Sequence, residues 1–554
     1  MAIYEEKQPA LHWIVLLLAA VFLVSFPLMQ IGMNELYSTE GEYAAAACEF
    51  SGLNTLVTVH GTLPNEVFPL YPAIVRLLLD CGLPLEFSLR FMSVLPLALM
   101  ALLTGLVCGR AADRQAGAAA AAVVLTTVLA GSKASEGYPQ LLSALIVYCG
   151  WMFWFYLGFV RSHWNAAWLS VGLFGGLAFY SNGLTALIYF LVPLAFQQRP
   201  FTIWSKMRKP GLPAAILILA VFFFAWLTPI QNWLAANPIP PPEAPQFHIL
   251  EYLKGIVIRP FDAAFRFFPW TLMLWAPFCP ALIAIERNPL LIKYHRILFV
   301  VLGLLVWFNP ETKARDFFYL LPLAASLAAC NYWILVRRYA GKFFGLFMIL
   351  SVLALACGAA AAAYLLLPQD VFSKFAIGVE LPAEKPAVTL LMAAEIALSV
   401  LSALTAVLLI RLRRPVWMAY LFVFASFMLL FWSTVNTVRS KDRSKEELAS
   451  GILAALQGKD AAPEAGPAAL YKDPAIMGLY SEGCYIGIPI RTLSHDKIPQ
   501  DVDPAYVLTA DVPSHHTRTW TRLYDCVYRN EHLYIYKGVS LKKELPDDDD
   551  YDYE

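Results

Sequence analysis

Long apolar runs recur along almost the whole of this 554-residue chain, and they constrain its fold more than any other feature. A helix needs about 20 apolar residues to cross the hydrocarbon core of a bilayer, and many windows here qualify. The composition agrees, with 59% hydrophobic and only 15% charged residues. The sequence therefore predicts a polytopic α-helical membrane protein.

About thirteen transmembrane helices are predicted. They run near 11 to 33, 88 to 108, 117 to 131, 138 to 160, 165 to 180, 184 to 197, 212 to 230, 270 to 285, 296 to 308, 317 to 335, 343 to 367, 387 to 410 and 415 to 437. The first is too long for a signal peptide and lacks a small-residue cleavage site, so we expect a retained helix.

Basic residues cluster at the ends of alternate predicted spans. A cytoplasmic N-terminus puts all of these clusters inside: Arg110 and Arg114; Arg161; Lys206, Arg208 and Lys209; Arg287, Lys293 and Arg296; Arg337, Arg338 and Lys342; Arg411, Arg413 and Arg414. This orientation obeys the positive-inside rule. It places the stretch 37 to 71, the loops 231 to 270 and 309 to 317, and everything after Val438 outside the cytoplasm.

The chain divides into three predicted regions. Residues 1–438 form the transmembrane domain, 439–546 an extracytoplasmic α/β domain, and 547–554 an acidic, disordered tail. Within the second region we expect an amphipathic helix at 445 to 456, a Pro/Ala/Gly linker at 461 to 468, and strands near 484 to 490, 505 to 509 and 533 to 536.

The cysteines on the predicted outer face form two candidate pairs, Cys48 with Cys81 and Cys484 with Cys526. That side of the membrane is oxidising, so each pair either bridges or remains two free thiols. The other five cysteines lie in or beside spans and are expected to act as small buried hydrophobes.

Carboxylates concentrate in the stretch from Tyr37 to Tyr71, which follows the first apolar run. It contains Glu40, Glu42, Glu49, Glu66 and His60 but no Lys or Arg. Acidic residues early in a helix also simply complement its dipole, so a structural role is the alternative for each. We predict a site because they share one face of the membrane with charged loops.

Those loops carry cations. Arg259, Lys313 and Arg315 are predicted to bind the phosphate of a lipid headgroup, because Arg offers a bidentate fork and Lys a point charge. Lys254 and Arg266 fit interface anchors better. Asn182, in the hairpin FYSNGLTA, either caps the next helix or contacts a sugar hydroxyl.

Four remaining polar residues on this face predict no site of their own. Lys133 and Glu136 are expected to pair with each other. His515 and His516 have only Asp511 close by in sequence, which is too little for a metal site, so they are interpreted as surface residues.

The ordered set of motifs resembles the GT-C membrane glycosyltransferases that use polyprenyl-phosphate sugars, specifically the aminoarabinose lipid A transferases and protein O-mannosyltransferases of glycosyltransferase family 39. The matching stretches are STEGEYA at 38–44, GTLPNEVFPLY at 61–71, LRFMSVLP at 89–96, GLAFYSNG at 176–183 and ETKARDFFYLLP at 311–322. The likeness spans about 440 residues and implies the GT-C fold, with the small α/β domain at the C-terminal end.

This chain departs from the family at three charged positions. Thr39 stands where the family has Asp, Val67 where it has Lys, and Asn182 where its hairpin has Lys. The catalytic base is therefore open between Glu40 and Glu42, and phosphate binding rests on the cations of the two later loops.

The resemblance implies inverting transfer of a sugar from a polyprenyl-phosphate donor to a lipid, glycan or protein acceptor, as in lipid A modification of the bacterial cell envelope. Glu40, with Glu42 as the second candidate, would act as base, and Lys313, Arg259 and Arg315 would stabilise the leaving phosphate. The residues Tyr43, His60, Glu66 and Asn182 would contact the acceptor or the sugar.

No cofactor is required by this mechanism, although a divalent metal near Glu66 is one expectation. The expected location is the bacterial inner membrane, in contact with membrane lipids, with the active face and C-terminal domain outside the cytoplasm. Balanced totals of 41 basic and 41 acidic residues indicate no nucleic-acid partner. A lipid-linked sugar flippase and a non-catalytic GT-C relative are the alternative functions.

Overall fold

The computed structural model describes most of the chain. Its described residues are 10–28, 30–51, 55–64, 66–198, 202–237, 249–283, 285–366, 389–440, 443–457, 469–476, 478–493, 502–513, 518–529 and 531–540. The predicted linker at 461 to 468, the acidic tail, and His515 and His516 lie outside these residues.

The chain forms two compact units. The first, here called the helical unit, comprises Met1–Asn34, Gly52–Leu56 and Phe68–Asp442. The second, the sheet unit, comprises Glu35–Ser51, Val57–Val67 and Arg443–Glu554. Two segments of the carboxylate-rich stretch therefore belong to the same compact unit as the C-terminal part of the chain.

Helices make up nearly all of the helical unit. In chain order they are α1 (Leu11–Ser25), α3 (Leu70–Asp80), α4 (Leu85–Ala111), α5 (Arg114–Leu125), α6 (Val128–Lys133), α7 (Gln140–Trp154), α8 (Trp164–Ala195), α9 (Gly211–Ala236), α10 (Ile249–Arg266), α11 (Pro280–Ile283), α12 (Pro289–Phe308), α13 (Leu321–Cys330), α14 (Tyr332–Leu366), α15 (Leu390–Arg411), α16 (Val416–Phe431) and α17 (Thr437–Arg439). Helix α2 (Ser38–Glu49) belongs to the sheet unit.

Nine of the helices in the described ranges are long and apolar enough to cross a membrane. They confirm a polytopic membrane protein, with fewer long spans than the thirteen predicted. The predicted span at 270 to 285 is one difference, because that segment breaks into short turns at Trp270–Met273, Ala276–Phe278 and Pro280–Ile283. Pro277 and Pro280 lack the backbone N–H that a continuous helix needs, which is consistent with these breaks.

The two predicted spans at 165 to 180 and 184 to 197 form one hairpin. Helix α8 is interrupted at Asn182 and Gly183, whose backbone is not helical. A Cβ on Gly175 would lie 3.4 Å from Leu187 and 3.6 Å from Phe190. A straight helix would separate these positions by roughly 18 to 22 Å at 1.5 Å per residue, so the chain reverses here.

Small residues allow helices α4 and α5 to pack closely. Every residue of α5 from Gln115 to Leu125 is buried. A Cβ on Gly117 would lie 2.7 Å from the carbonyl oxygen of Gly105 in α4, so the two backbones are in direct contact. Such contact is possible only where a side chain is absent.

The sheet unit contains a five-stranded sheet. Its strands are β1 (Leu470–Lys472), β2 (Ile490–Thr492), β3 (Ala505–Thr509), β4 (Arg518–Tyr528) and β5 (Glu531–Ser540), in the order β2-β1-β3-β5-β4. Strand β1 pairs in parallel with β2 and β3, whereas β5 pairs antiparallel with β3 and β4. Helices α18 (Ser444–Gln457) and α19 (Tyr480–Ile486) contribute to the core beside it.

The predicted α/β character of this region is confirmed, as are the helix near 445 to 456 and the strands near 505 to 509 and 533 to 536. The strand predicted at 484 to 490 is wrong for most of its length, because Cys484 to Ile486 end helix α19 and only Ile490 begins a strand. Short apolar runs do not distinguish a strand from a short buried helix.

Replacing Gly183 tests the hairpin. Its φ of +65° disfavours any side chain, and a Cβ would lie 2.1 Å from the ring of Phe68. We expect Gly183→Ala to destabilise the protein by about 1 to 3 kcal/mol, measured as a lower unfolding temperature in detergent. Gly303→Ala in α12 is the matched control, since nothing lies within 4 Å of its added Cβ and Ala favours a helix. Equal effects of the two substitutions would contradict the hairpin geometry.

Candidate functional site

Glu40 lies in the first turn of helix α2, and its side chain caps the start of that helix. The carboxylate accepts a hydrogen bond from the backbone N–H of Tyr37 at 3.0 Å, and the residue is fully buried. This is the capping arrangement in which an acidic residue at the third helical position returns to the residue before the helix. The alternative of a helix-starting role is thus realised in the structure for Glu40.

Glu42 lies one half-turn further along α2 and is only partly buried. Burial, and then the negative charge of Glu42, raise the pKa of Tyr480 in α19. Tyr43 beside it is buried, with 6% of its surface exposed. Of the two candidate bases, Glu42 is therefore the more accessible, and it has a phenol from the C-terminal part of the chain for a neighbour.

Glu49, at the end of α2, organises the loop that follows. Its carboxylate accepts hydrogen bonds from the backbone N–H of His60 at 2.7 Å and the hydroxyl of Thr58 at 3.2 Å, as well as from the backbone of Gly61. Burial nevertheless raises the pKa of Glu49, against the lowering effect of these bonds. One carboxylate thus fixes the conformation of three loop residues.

His60 is held in a strained, buried position by this loop. Its φ is +53°, and only 3% of its surface is exposed. Its Nδ1 lies 3.3 Å from the Nζ of Lys472, and its ring centroid lies 5.2 Å from that of Tyr480. Its backbone carbonyl accepts the N–H of Thr492 at 2.8 Å.

The His60–Lys472 pair carries a single positive charge near neutral pH. Burial, and then the neighbouring lysine, lower the pKa of His60 to about 3, so the imidazole is neutral. Burial lowers the pKa of Lys472 to about 8, although Glu49 opposes this effect. Lys472 also donates to the carbonyl oxygen of Gly478 at 3.2 Å. His60 therefore accepts a hydrogen bond from the lysine at Nδ1, and this bond fastens the loop to strand β1.

Glu66, the residue at which a metal is predicted, is exposed. Within the described ranges, no three His, Cys, Asp or Glu side chains converge as a metal site. The metal near Glu66 remains a prediction with no ligand set among these residues.

A cavity of about 290 Å³ lies beside Tyr480 in the sheet unit. Its lining includes the basic residues Lys445 and Arg529, the phenol of Tyr528 and the buried carboxylate of Glu482. Burial raises the pKa of Glu482. The cavity combines cations with aromatic hydroxyls, which suits a polar ligand rather than a lipid tail.

The predicted phosphate-binding cations lie in the helical unit. Arg259 in α10 donates to the carbonyl oxygens of Trp307 and Pro310, each at 2.8 Å. These carbonyls are at the end of α12, where helix carbonyls lack partners inside the helix. Arg259 thus has a structural function that the sequence did not indicate.

Lys313 and Arg315 precede α13 in different environments. Lys313 has an exposed side chain, while its backbone N–H donates to Asp316 at 2.8 Å. Arg315 contacts the carboxylate of Glu136 through Nε at 3.1 Å and Nη2 at 2.9 Å, and its guanidinium stacks on the ring of Tyr138.

The predicted pairing of Lys133 with Glu136 is confirmed at 2.7 Å. Arg315 extends this pair into a group of three charges within the helical unit. The carboxylate of Glu136 is therefore shared between two cations that come from distant parts of the chain.

Asn182 occupies the hairpin between the two halves of α8. Its Nδ2 donates to the hydroxyl of Tyr319 at 3.1 Å, and that hydroxyl donates to Ser143 at 2.7 Å. These contacts join the hairpin to the segment carrying Lys313 and Arg315, and the contact of Asn182 with a sugar remains a prediction.

The structure brings some predicted residues together and adds others. Glu42 and His60 share Tyr480 as a neighbour within the sheet unit. Arg315 and Asn182 both belong to the helical unit. Sequence reasoning missed Lys472, Tyr480 and Tyr319. A basic residue inside a short apolar strand, as at Lys472, was the one available signal.

All nine cysteines are free thiols in the structure, so neither predicted pair is bridged. The Cys526 thiol instead donates to the carbonyl oxygen of Leu533 at 3.6 Å. Cys484 is hydrogen-bonded to Cys48, a pairing that the sequence did not suggest.

Comparison with solved structures identifies the fold. The chain is similar to ArnT from Cupriavidus metallidurans bound to undecaprenyl phosphate, with 16% identity and a TM-score of 0.62 over 95% of this chain and 98% of that chain. The apo state of that ArnT gives a TM-score of 0.63 at the same identity and coverage. An oligosaccharyltransferase from Archaeoglobus fulgidus, at 10% identity, 87% and 64% coverage and a TM-score of 0.39, is too distant to add to this.

The fold is therefore that of ArnT along nearly the full chain, as the sequence motifs predict. No protein-family model matches the sequence, and a comparison with curated proteins finds no match either.

The buried His60 predicts a specific loss of stability in acid. Its pKa of about 3 lies below the ordinary 6.5, so between these values the unfolded chain binds a proton that the folded chain does not. The contribution of His60 to the free energy of unfolding is fully present above pH 6.5 and is lost as the pH falls toward 3. His60→Asn removes this titration, while Asn tolerates a positive φ and offers an oxygen to Lys472.

Thermal unfolding in detergent from pH 7.5 to pH 4 measures this effect. Between pH 7.5 and pH 4, we expect the free energy of unfolding of the wild type to fall by about 1 to 3 kcal/mol more than that of His60→Asn. Similar unfolding temperatures of the two proteins at pH 7.5 would show that the variant keeps the fold. Parallel profiles down to pH 4 would refute a buried neutral histidine.

Proposed function

We propose that this protein transfers a sugar from a polyprenyl-phosphate donor to a lipid, glycan or protein acceptor outside the cytoplasm, with inversion at the anomeric carbon. The supporting observation is the ArnT fold along 95% of the chain, because that ArnT structure has undecaprenyl phosphate bound. The motifs in the carboxylate-rich stretch and the loop at 311 to 322 support the same reaction.

Inverting transfer is a single displacement. The acceptor nucleophile loses its proton to a carboxylate and attacks the anomeric carbon. The bond from that carbon to the phosphate oxygen breaks, and the electron pair leaves with polyprenyl phosphate. The reaction therefore needs one general base and positive charge near the leaving phosphate.

We assign the base to Glu42, with Glu40 as the second candidate. Glu40 is fully buried, and its carboxylate caps α2, whereas Glu42 is partly exposed and lies near Tyr480. The sequence motif favours Glu40 over Glu42, and this assignment reverses that order.

We assign the principal phosphate contact to Lys313. Its side chain is exposed in the loop that the resemblance associates with the donor. Arg315 supports it, although its guanidinium also pairs with Glu136. Arg259 retains donors beyond the two it gives to backbone carbonyls, since a guanidinium has five N–H groups. Its main contribution is to hold the end of α12.

The proposed location is a bacterial inner membrane, with the sheet unit on the outer side. The distribution of basic residues supports this orientation through the positive-inside rule. A divalent ion near Glu66 remains a prediction, and the proposed transfer does not use it.

A lipid-linked sugar flippase is the principal alternative. Transporters usually place ionisable residues at mid-membrane depth, where each costs about 2.5 to 3.5 kcal/mol on insertion scales. Charged residues are sparse in the interiors of the predicted spans of this sequence, which favours the transferase. Vesicles in which the purified protein moves labelled lipid without transferring sugar would favour the flippase.

Substitution of the two carboxylates tests the base. We expect Glu42→Gln to reduce the rate of transfer by a factor of about 10² to 10⁴, because general base catalysis contributes that much. Glu40→Gln is the control. Gln also satisfies a capping box, so that variant should keep most of the activity and the fold. Transfer is measured with labelled undecaprenyl-phosphate aminoarabinose and mannose in membranes. Full activity of both variants would eliminate the assignment.

Lysine substitutions test the phosphate contact. Loss of one charge-assisted contact should weaken binding of undecaprenyl phosphate to Lys313→Met by about 10-fold or more, at 1.5 to 3 kcal/mol for such a bond. Lys254→Met in α10 removes an exposed lysine expected to be an interface anchor, and it should bind as the wild type does. Equal losses in the two variants would indicate a general electrostatic effect. No binding to the wild type would favour a non-catalytic relative.

A further inference from the structure

Helix α19 belongs to the C-terminal part of the sheet unit. Helix α2 and the loop that carries His60 both pack against it. A Cβ on Gly41 in α2 would lie 2.4 Å from the Oγ of Ser481 and 2.7 Å from its backbone nitrogen. A Cβ on Gly483 would lie 3.0 Å from Nε2 of His60. Helix α19 therefore packs tightly on both segments.

The same packing brings two cysteines together. Cys48 follows Gly41 by two helical turns in α2, and Cys484 follows Ser481 by about one turn in α19, so each cysteine lies on the face of its helix that makes the Gly41–Ser481 contact. The Cys484 thiol is hydrogen-bonded to that of Cys48. Two thiols in contact on adjoining helix faces are in a position to bridge.

We propose that Cys48 and Cys484 form a disulfide in the mature protein, which locks helix α2 to helix α19. The formation of this bond rests on the outward orientation of the sheet unit given in the proposed function, because an oxidising compartment is required. It does not depend on sugar transfer.

The chemistry is a thiol–disulfide exchange with an oxidised protein disulfide as the oxidant. Cys48 is exposed, so its thiolate attacks the oxidant and forms a mixed disulfide. The Cys484 thiolate then attacks the Cys48 sulfur. The two protein thiols lose two protons and two electrons, and the oxidant leaves as a dithiol.

The bond would constrain the part of α2 that the mechanism uses. Cys48 lies next to Glu49, whose carboxylate holds the loop of His60, and on the same short helix as Glu42. A covalent link at this end fixes the position of the helix relative to Tyr480 in α19. The disulfide would therefore stabilise the arrangement of Glu42, Tyr480 and His60 within the sheet unit.

Mass spectrometry of the full-length protein tests the pairing. Membranes are treated with a thiol-blocking reagent, the protein is denatured and digested without reductant, and the peptides are mapped. We expect a linked peptide pair containing Cys48 and Cys484 that disappears on reduction, with Cys81 and Cys526 recovered as blocked thiols. Blocked thiols at both Cys48 and Cys484, or a linkage of either to another cysteine, would overturn the proposal.

Two variants separate the pairing from the orientation. In Cys484→Ser the exposed Cys48 should react with a membrane-impermeant maleimide in spheroplasts, whereas in the wild type it should not. Labelling of the variant, together with a wild type that is labelled only after reduction, supports the disulfide. Labelling of both proteins overturns the pairing and leaves the orientation standing. Failure to label the variant, when lysed spheroplasts do label, overturns both the orientation and the disulfide, while transfer activity is measured independently.

Thermal unfolding gives a second readout. Reductant should lower the unfolding temperature of the wild type but not that of the double variant Cys48→Ser, Cys484→Ser. An equal shift in both proteins, or none in either, contradicts a disulfide at this position.

Discussion

A bilayer offers no water to backbone N–H and C=O groups, and the helical unit is built around that constraint. Its apolar segments satisfy their backbone inside helices and pack through small residues, as where Gly117 meets the carbonyl of Gly105. Breaks occur where other groups supply partners. The turn at Asn182 and Gly183 is joined to Tyr319, and Arg259 donates to carbonyls at the end of α12. The polar residues near the predicted site therefore also maintain the fold around it.

The sheet unit solves a different problem, since its loop at 57–67 must be held in place by side chains. Glu49 fixes the backbone of His60, and His60 in turn contacts Lys472 on strand β1. Each group is buried and partnered, which is how buried charges are tolerated. The proposed base, Glu42, lies on the same helix as Glu49. Its environment is therefore set by contacts that have no part in the chemistry.

Sequence reasoning reached the fold because the signals for it are local. Apolar length predicted the long spans and the two arms of the α8 hairpin, and alternation predicted strands β3 and β5. It failed where the local signal was ambiguous. Pro277 and Pro280 break the apolar segment near 270 to 285, and the apolar residues around Cys484 form a short helix instead of a strand.

The sequence by itself determined a membrane-spanning helical chain with a small α/β region, a carboxylate-bearing helix at residues 38 to 49 and cations in later loops. Only the tertiary structure decided which of these residues meet. It placed Arg315 against Glu136, His60 against Lys472 and Cys48 against Cys484. Hydrophobicity and periodicity act over one or two turns of chain, whereas these pairs join residues separated by tens to hundreds of positions. Their proximity depends on how whole helices and strands pack, which no local pattern encodes.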